Sequence, residues 1–143
     1  IGEFLLSHPN IQIPQNSSRT YSVNESYYER WQLGQQRLMD HFKVDGELSA
    51  RYIGSLVADV HRTILKGGIF MYPADTRNPQ GKLRLLYEAA PLAMICGYAG
   101  GAATDGRGDI LDLMPTDLHQ RTPLYIGSRD LVDKAGEFLS DSS

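Results

Sequence analysis

Cysteine is almost missing from this chain: Cys96 is the only one in 143 residues. One thiol excludes an intrachain disulfide and a cysteine-based zinc site, and it fits a reducing compartment such as the cytoplasm. No apolar run approaches the roughly 18 residues that span a bilayer, so no membrane partner is expected. The four histidines, His8, His41, His61 and His119, fall in no HxH or HExxH spacing, and neither a P-loop nor a GxSxG elbow occurs. Basic residues are outnumbered, 14 Lys and Arg against 17 Asp and Glu, for a net charge of −3. Nucleic-acid binding draws its affinity from clustered cations, so this balance argues against it. The chain also opens on Ile1 rather than methionine, already in an apolar run, and is expected to be a piece of a longer protein.

What remains is a composition ordinary for a globular domain, with 41% hydrophobic and 22% charged residues. The length suits a single domain. Charge is uneven within it. Between residues 51 and 84 stand Arg51, Arg62, Lys66, Arg77, Lys82 and Arg84 against only Asp59 and Asp75. A local cationic patch on an acidic chain fits either a solvated face or a site for a small phosphate or carboxylate.

Strand and helix patterns alternate. Residues 3–7 and 11–13 flank His8-Pro9-Asn10 and predict an opening hairpin. Ser22 and Glu25 are spaced as a capping box before a helix over 26–42, with Asn24 as a rival cap. Residues 44–50 read as a polar loop. Leu56, Val57, Val60, Ile64 and Leu65 recur at helical spacing, so a helix is expected over 55–65, stopped by Gly67-Gly68. A buried strand follows at 69–72, and Asn78-Pro79-Gln80-Gly81 marks a turn. Pro91 suits the start of a helix running to 99. Strands are expected at 110–113 and 123–126, then a last helix capped by Ser128 with a Leu131, Val132, Ala135, Phe138, Leu139 stripe. These elements predict a layered α/β/α domain with a mixed central sheet.

The segment Lys82-Leu83-Arg84-Leu85-Leu86-Tyr87-Glu88 is the richest in chemistry. An extended strand would put Lys82, Arg84 and Glu88 on one face and Leu83, Leu85 and Tyr87 on the other. Two accounts fit. The first is an exposed ion-pair ladder, worth little per pair. The second is a phosphate held by Lys82 and Arg84, with Glu88 offering oxygen to a hard divalent cation. Arg51 and Tyr52, if extended, diverge, which a subunit interface would resolve, with one residue serving its own site and the other a neighbour's. Gly54-Ser55 before a helix offers backbone N–H groups to an oxyanion. Tyr27, Tyr52 and Tyr72 each stand beside an element end, where a ring can pack while its hydroxyl meets a polar ligand. Cys96, in an apolar helix without a neighbouring cation, reads as an inert thiol.

Read as strings, five stretches resemble class I fructose-1,6-bisphosphatase. They are Tyr21-Ser22-Val23-Asn24-Glu25, the run Ala50 to Thr63, Gly67 to Pro73, Gly81 to Glu88, and His119-Gln120-Arg121 with Ile126-Gly127-Ser128. The resemblance runs in order to about Leu139 and covers the C-terminal half of that enzyme, leaving out its metal- and AMP-binding N-terminal domain. It implies hydrolysis of the 1-phosphate of fructose 1,6-bisphosphate to fructose 6-phosphate, in gluconeogenesis, with Mg2+ or Mn2+ and a homotetramer. It implies further that Asn24, Tyr27, Tyr52, Tyr72 and Lys82 hold the 6-phosphate and that Arg51 reaches the 6-phosphate of an adjacent subunit. The backbone of Gly54, Ser55 and Leu56, together with Lys82 and Leu83, would meet the sugar. Arg84 would lie near the reacting phosphate and Glu88 would ligate metal. Ser26, Leu56 and Arg77 stand where members commonly have glycine, methionine and lysine. The family's Asp-x-x-Asp-Gly run is missing: Asp45-Gly46 and Asp105-Gly106 have no aspartate three positions earlier. The 143 residues alone are therefore expected not to catalyse. A sedoheptulose-1,7-bisphosphatase, a dual-specificity enzyme and a noncatalytic sugar-phosphate-binding module are the alternatives.

Overall fold

A computed structural model describes residues 2–15, 19–45 and 47–141. Ile1, at the head of the opening apolar run, and Gly46, inside the expected polar loop, lie outside them.

The centre is a five-stranded sheet in the order β2-β1-β3-β7-β5. Its strands are β1 (Thr20–Ser22), β2 (Ser49–Ala50), β3 (Gly68–Tyr72), β5 (Ala102–Thr104) and β7 (Leu124–Gly127). β2, β1 and β3 run parallel, while β7 is antiparallel to both β3 and β5, so the sheet is mixed as expected. A separate antiparallel pair joins β4 (Leu83–Arg84) to β6 (Arg121–Thr122).

Helices cover both faces because the inner strands are apolar on both. Along β3, Ile69 and Met71 face one side and Phe70 the other, the two-residue period of a strand. Ile69 and Met71 pack with Leu38, Met39 and Phe42 of α1 (Leu33–Val44) and with Leu131, Val132 and Ala135 of α4 (Arg129–Ser140). Phe70 packs with Val60 and Ile64 of α2 (Leu56–Lys66) and with Ala93 and Cys96 of α3 (Ala90–Tyr98). Gly68 lets β3 lie close to β1: its φ is +135°, and a Cβ there would run into the Thr20 carbonyl.

Four local expectations are corrected. Residues 3–13 form no hairpin; the segment is largely exposed, and it is attached by the Ile13 amide, 2.8 Å from the Ala99 carbonyl, and by Gln12 Nε2, 3.4 Å from the Tyr98 carbonyl. The helix expected over 26–42 is two pieces, a 3-10 turn at Glu25–Arg30 and then α1. Ser22 is buried in β1, and Asn24 is the cap, its Oδ1 accepting from the Ser26 amide at 3.1 Å. The Tyr28 carbonyl ends the turn by accepting both the Trp31 amide and Gln36 Nε2. Residues 110–113 are a 3-10 turn, Ile110–Asp112, capped by Asp109. The edge strand is Ala102–Thr104 instead, where small residues pass close to Gly127. Finally, the chain is extended only at Leu83–Arg84 before winding into a π-helical turn at Leu85–Ala89. Leu83 and Leu85 are buried as expected, but Tyr87 is exposed and bonds His119 at 2.9 Å.

Candidate functional site: a phenolic cleft at the ends of three parallel strands

Because β2, β1 and β3 are parallel, their carboxyl ends open at one edge of the sheet, where α/β folds tend to bind ligands. Asn24 and Tyr27 follow β1, Tyr52 follows β2, and Tyr72 ends β3. They line one shallow cleft with Val23, Phe70, Met71 and Pro73. Lys82 joins from the segment before β4, its Nζ 5.4 Å from the centre of the Tyr27 ring.

Burial comes first among the causes that raise the pKa values of Tyr52 and Tyr72 above the ordinary phenol value. Asp59 and Tyr27 add to the effect at Tyr52, and Tyr27, Tyr52, Asp75 and Glu88 add to it at Tyr72. Both phenols therefore keep their protons at neutral pH and can donate to an anion. Asn24 uses Oδ1 for its turn, accepting from the Ser26 amide and Ser26 Oγ, which leaves Nδ2 to donate.

The loop before α2 is held from inside. Asp59 is fully buried and accepts from the amides of Ile53 and Gly54, both at 3.0 Å, and from Arg62 Nη2 at 2.8 Å. Burial alone would raise this carboxyl's pKa, but those donors outweigh it and the net shift is downward. Arg62 Nη2 also reaches the Arg51 carbonyl and Ser22 Oγ, tying the loop to β1. The Gly54 amide is thus committed, contrary to its expected availability to an oxyanion. Ser55 and Leu56 open α2, where first-turn amides lack partners within the helix.

Arg51 is exposed, bonds the Ala50 carbonyl through Nη1 and does not line the cleft, in keeping with its divergence from Tyr52. Leu83 buries its side chain in the core, so only its main chain could meet a ligand. Arg84 and Glu88 come together through the π-helical turn: Glu88 Oε1 accepts from the Arg84 amide at 3.0 Å and lies 3.7 Å from Arg84 Nη1. Arg84 Nε is shielded from solvent without a hydrogen-bond partner.

Residues 13–140 match the family described as "Fructose-1-6-bisphosphatase, C-terminal domain". The chain belongs to this family. Among similar curated relatives, the class 1 fructose-1,6-bisphosphatase of Persephonella marina is 55% identical over 98% of this chain and 43% of its own length. That of Chlorobium luteolum is 56% identical over 96% and 43%. Leishmania major fructose-1,6-bisphosphatase in holo form superposes with a TM-score of 0.92 at 52% identity, covering 97% of this chain and 43% of its own. The same enzyme in its T-state gives 0.92 over 98% and 44%. The chain thus spans less than half the length of the relatives it matches.

In this fructose-bisphosphatase C-terminal domain, Asp59 and Arg62 are the contributors that residue patterns did not single out. Their signal was visible, an acid in the first turn of α2 with a base three residues on, but it reads like any helix-surface pair. Glu88 fits the role of one oxygen ligand to a hard cation, since its contacts run through Oε1 alone. Among the described residues, no three His, Cys, Asp or Glu side chains converge to hold a metal. None of the helices there is long and apolar enough to cross a membrane.

Proposed function

We propose that this chain is the sugar-phosphate-binding half of a cytoplasmic, homotetrameric fructose-1,6-bisphosphatase. The intact enzyme would hydrolyse the 1-phosphate of fructose 1,6-bisphosphate to fructose 6-phosphate and phosphate in gluconeogenesis. The observation that carries this reading is the convergence of Asn24, Tyr27, Tyr52 and Tyr72 on one cleft, with Lys82 against the Tyr27 ring. Protonated phenols, an amide and an ammonium suit a phosphate monoester.

In this reading those five residues hold the 6-phosphate, and anchoring that remote group contributes binding energy that fixes the reacting end in line. The close approach of sugar to the loop falls to Gly54, which has no side chain and φ of +90°, and to the Ser55 and Leu56 amides. The main chain of Leu83 is a further neighbour. Arg84, with its unpartnered Nε, faces the reacting phosphate, and Arg51 serves the adjacent subunit. Glu88 holds one position of a Mg2+ or Mn2+ ion whose remaining protein ligands come from the metal- and AMP-binding domain outside these residues. Such a cation, when bound, neutralises phosphoryl charge.

The test is a titration of fructose 6-phosphate into the full-length protein. Lys82→Ala is expected to weaken binding by about 1.5–3 kcal/mol, the loss of hydrogen bonds to a charged partner. Unchanged affinity would remove Lys82 from the site.

A further inference from the structure

Tyr27 is flanked by two cations. Lys82 Nζ lies 5.4 Å from its ring centre and Arg30 Cζ lies 5.0 Å from it. Both distances are within the reach of an attractive cation–ring contact. The two charges are therefore at most about one Debye length, ~10 Å at 0.1 M salt, apart.

The position of Arg30 follows from the local backbone. Tyr27 and Arg30 belong to the 3-10 turn Glu25–Arg30, and in a helix with three residues per turn, side chains at i and i+3 eclipse. An α-helical continuation would keep the two side chains neighbours but offset Arg30 around the axis. The turn is fixed at both ends, by the Asn24 cap and by the Thr76 amide donating to the Arg30 carbonyl at 3.0 Å. The guanidinium also stands near Asp75. Burial on its own would raise that carboxyl's pKa, but the Asn78 and Arg77 donors and the Arg30 charge bring it below its ordinary value. Asp75 is occupied with Arg77 and Asn78 amides, so it orients Arg30 without forming an ion pair with it.

We infer that Arg30 is a positioning residue of the phosphate cleft: it stacks on Tyr27, holds that ring against Lys82 and adds a second fixed positive charge beside the bound phosphate. The inference rests on the sugar-phosphate reading of the cleft and extends it to a residue outside the cleft lining. Arg30 acts on affinity for the anchored phosphate and leaves the reacting end alone.

The experiment compares full-length wild type, Arg30→Ala and Arg30→Lys by fructose 6-phosphate titration at low and high salt, with steady-state kinetics on fructose 1,6-bisphosphate. Arg30→Ala is expected to weaken binding about 5- to 20-fold, to flatten its salt dependence, and to raise KM with kcat within about twofold, as lost uniform binding does. Arg30→Lys is expected to recover most of the affinity. If Arg30→Ala unfolds, Arg30→Gln carries the comparison, since it keeps much of the stem while removing the charge. Wild-type affinity and salt dependence in the uncharged variants would overturn the inference while leaving the cleft assignment intact. A fall in kcat at constant KM, or a lysine variant as weak as the alanine one, would also overturn it. Failure of wild type itself to bind fructose 6-phosphate would overturn both readings together.

Discussion

Asp59 sits in the first turn of α2 with its carboxylate closed off from solvent, and three N–H groups converge on it. An asparagine there could accept from one backbone amide but would turn its own NH2 toward another donor and leave Arg62 without its counter-charge. Asp59→Asn is therefore expected to cost about 3 kcal/mol of stability, read from denaturant unfolding at neutral pH. The sign of the pH effect follows from the lowered pKa. Stability from Asp59 is fully present above the ordinary carboxylate value of 3.8 and disappears as pH falls through the lower folded value. Asp75 contributes in the same sense. The acid limb of the stability curve should flatten in Asp59→Asn; a variant curve parallel to wild type would deny the carboxylate this role. Cys96 is the opposite kind of residue. Burial pushes its thiol up to about 11, so it packs and does not react, as its apolar helix suggested.

At the scale of elements, the site depends on how short the segment carrying Lys82 is. Gly81, at φ of +81°, turns the chain into β4, and a Cβ there would collide with the main chain at Thr122–Pro123. Gly81→Ala is expected to lose about 2–4 kcal/mol from strained backbone and forced separation of β4 from β6. It should weaken fructose 6-phosphate binding as well, because the Lys82 carbonyl is bonded to Arg121 Nη1 across that pair. A fully stable Gly81→Ala variant would contradict the packing. Elements with strong apolar periodicity were legible in the residues alone: α2, β3, β7 and α4 all lie where Val60, Phe70, Ile126 and Leu131 put them. The others turn on short-range hydrogen bonds that leave no periodic mark. Asn24 and the Tyr28 carbonyl divide one expected helix into two. Asp109 caps a turn over Ile110, Leu111 and Asp112, part of a run that reads as a strand. The edge strand Ala102–Thr104 has no bulky residue to announce it, only small ones that fit beside Gly127. In the site, the three phenols were legible from their places beside element ends. Arg30 was not, because an i, i+3 pair of tyrosine and arginine reads like any helix-surface pair.

The whole molecule brings its parallel strand ends, its phenols and Lys82 to one edge of the sheet, with Asp75 and Glu88 both near Tyr72. On the α3 side Met94, Ile95 and Tyr98 remain exposed, an apolar face on a helix already packed against the core by Ala93 and Cys96. On the proposed reading, in which Glu88 is one metal ligand and the others lie outside these residues, the chain is expected to bind sugar phosphate without turning it over. Phosphate release from fructose 1,6-bisphosphate by these 143 residues alone should stay at the buffer background with Mg2+ present, and metal-dependent turnover at the rate of a full-length relative would refute that division of labour. The most direct measurement is a crystal structure of the full-length protein with fructose 6-phosphate. The phosphate oxygens are expected within about 3.2 Å of Asn24 Nδ2, Lys82 Nζ and the hydroxyls of Tyr27, Tyr52 and Tyr72. A phosphate bound elsewhere, with this cleft holding only solvent, would contradict the assignment.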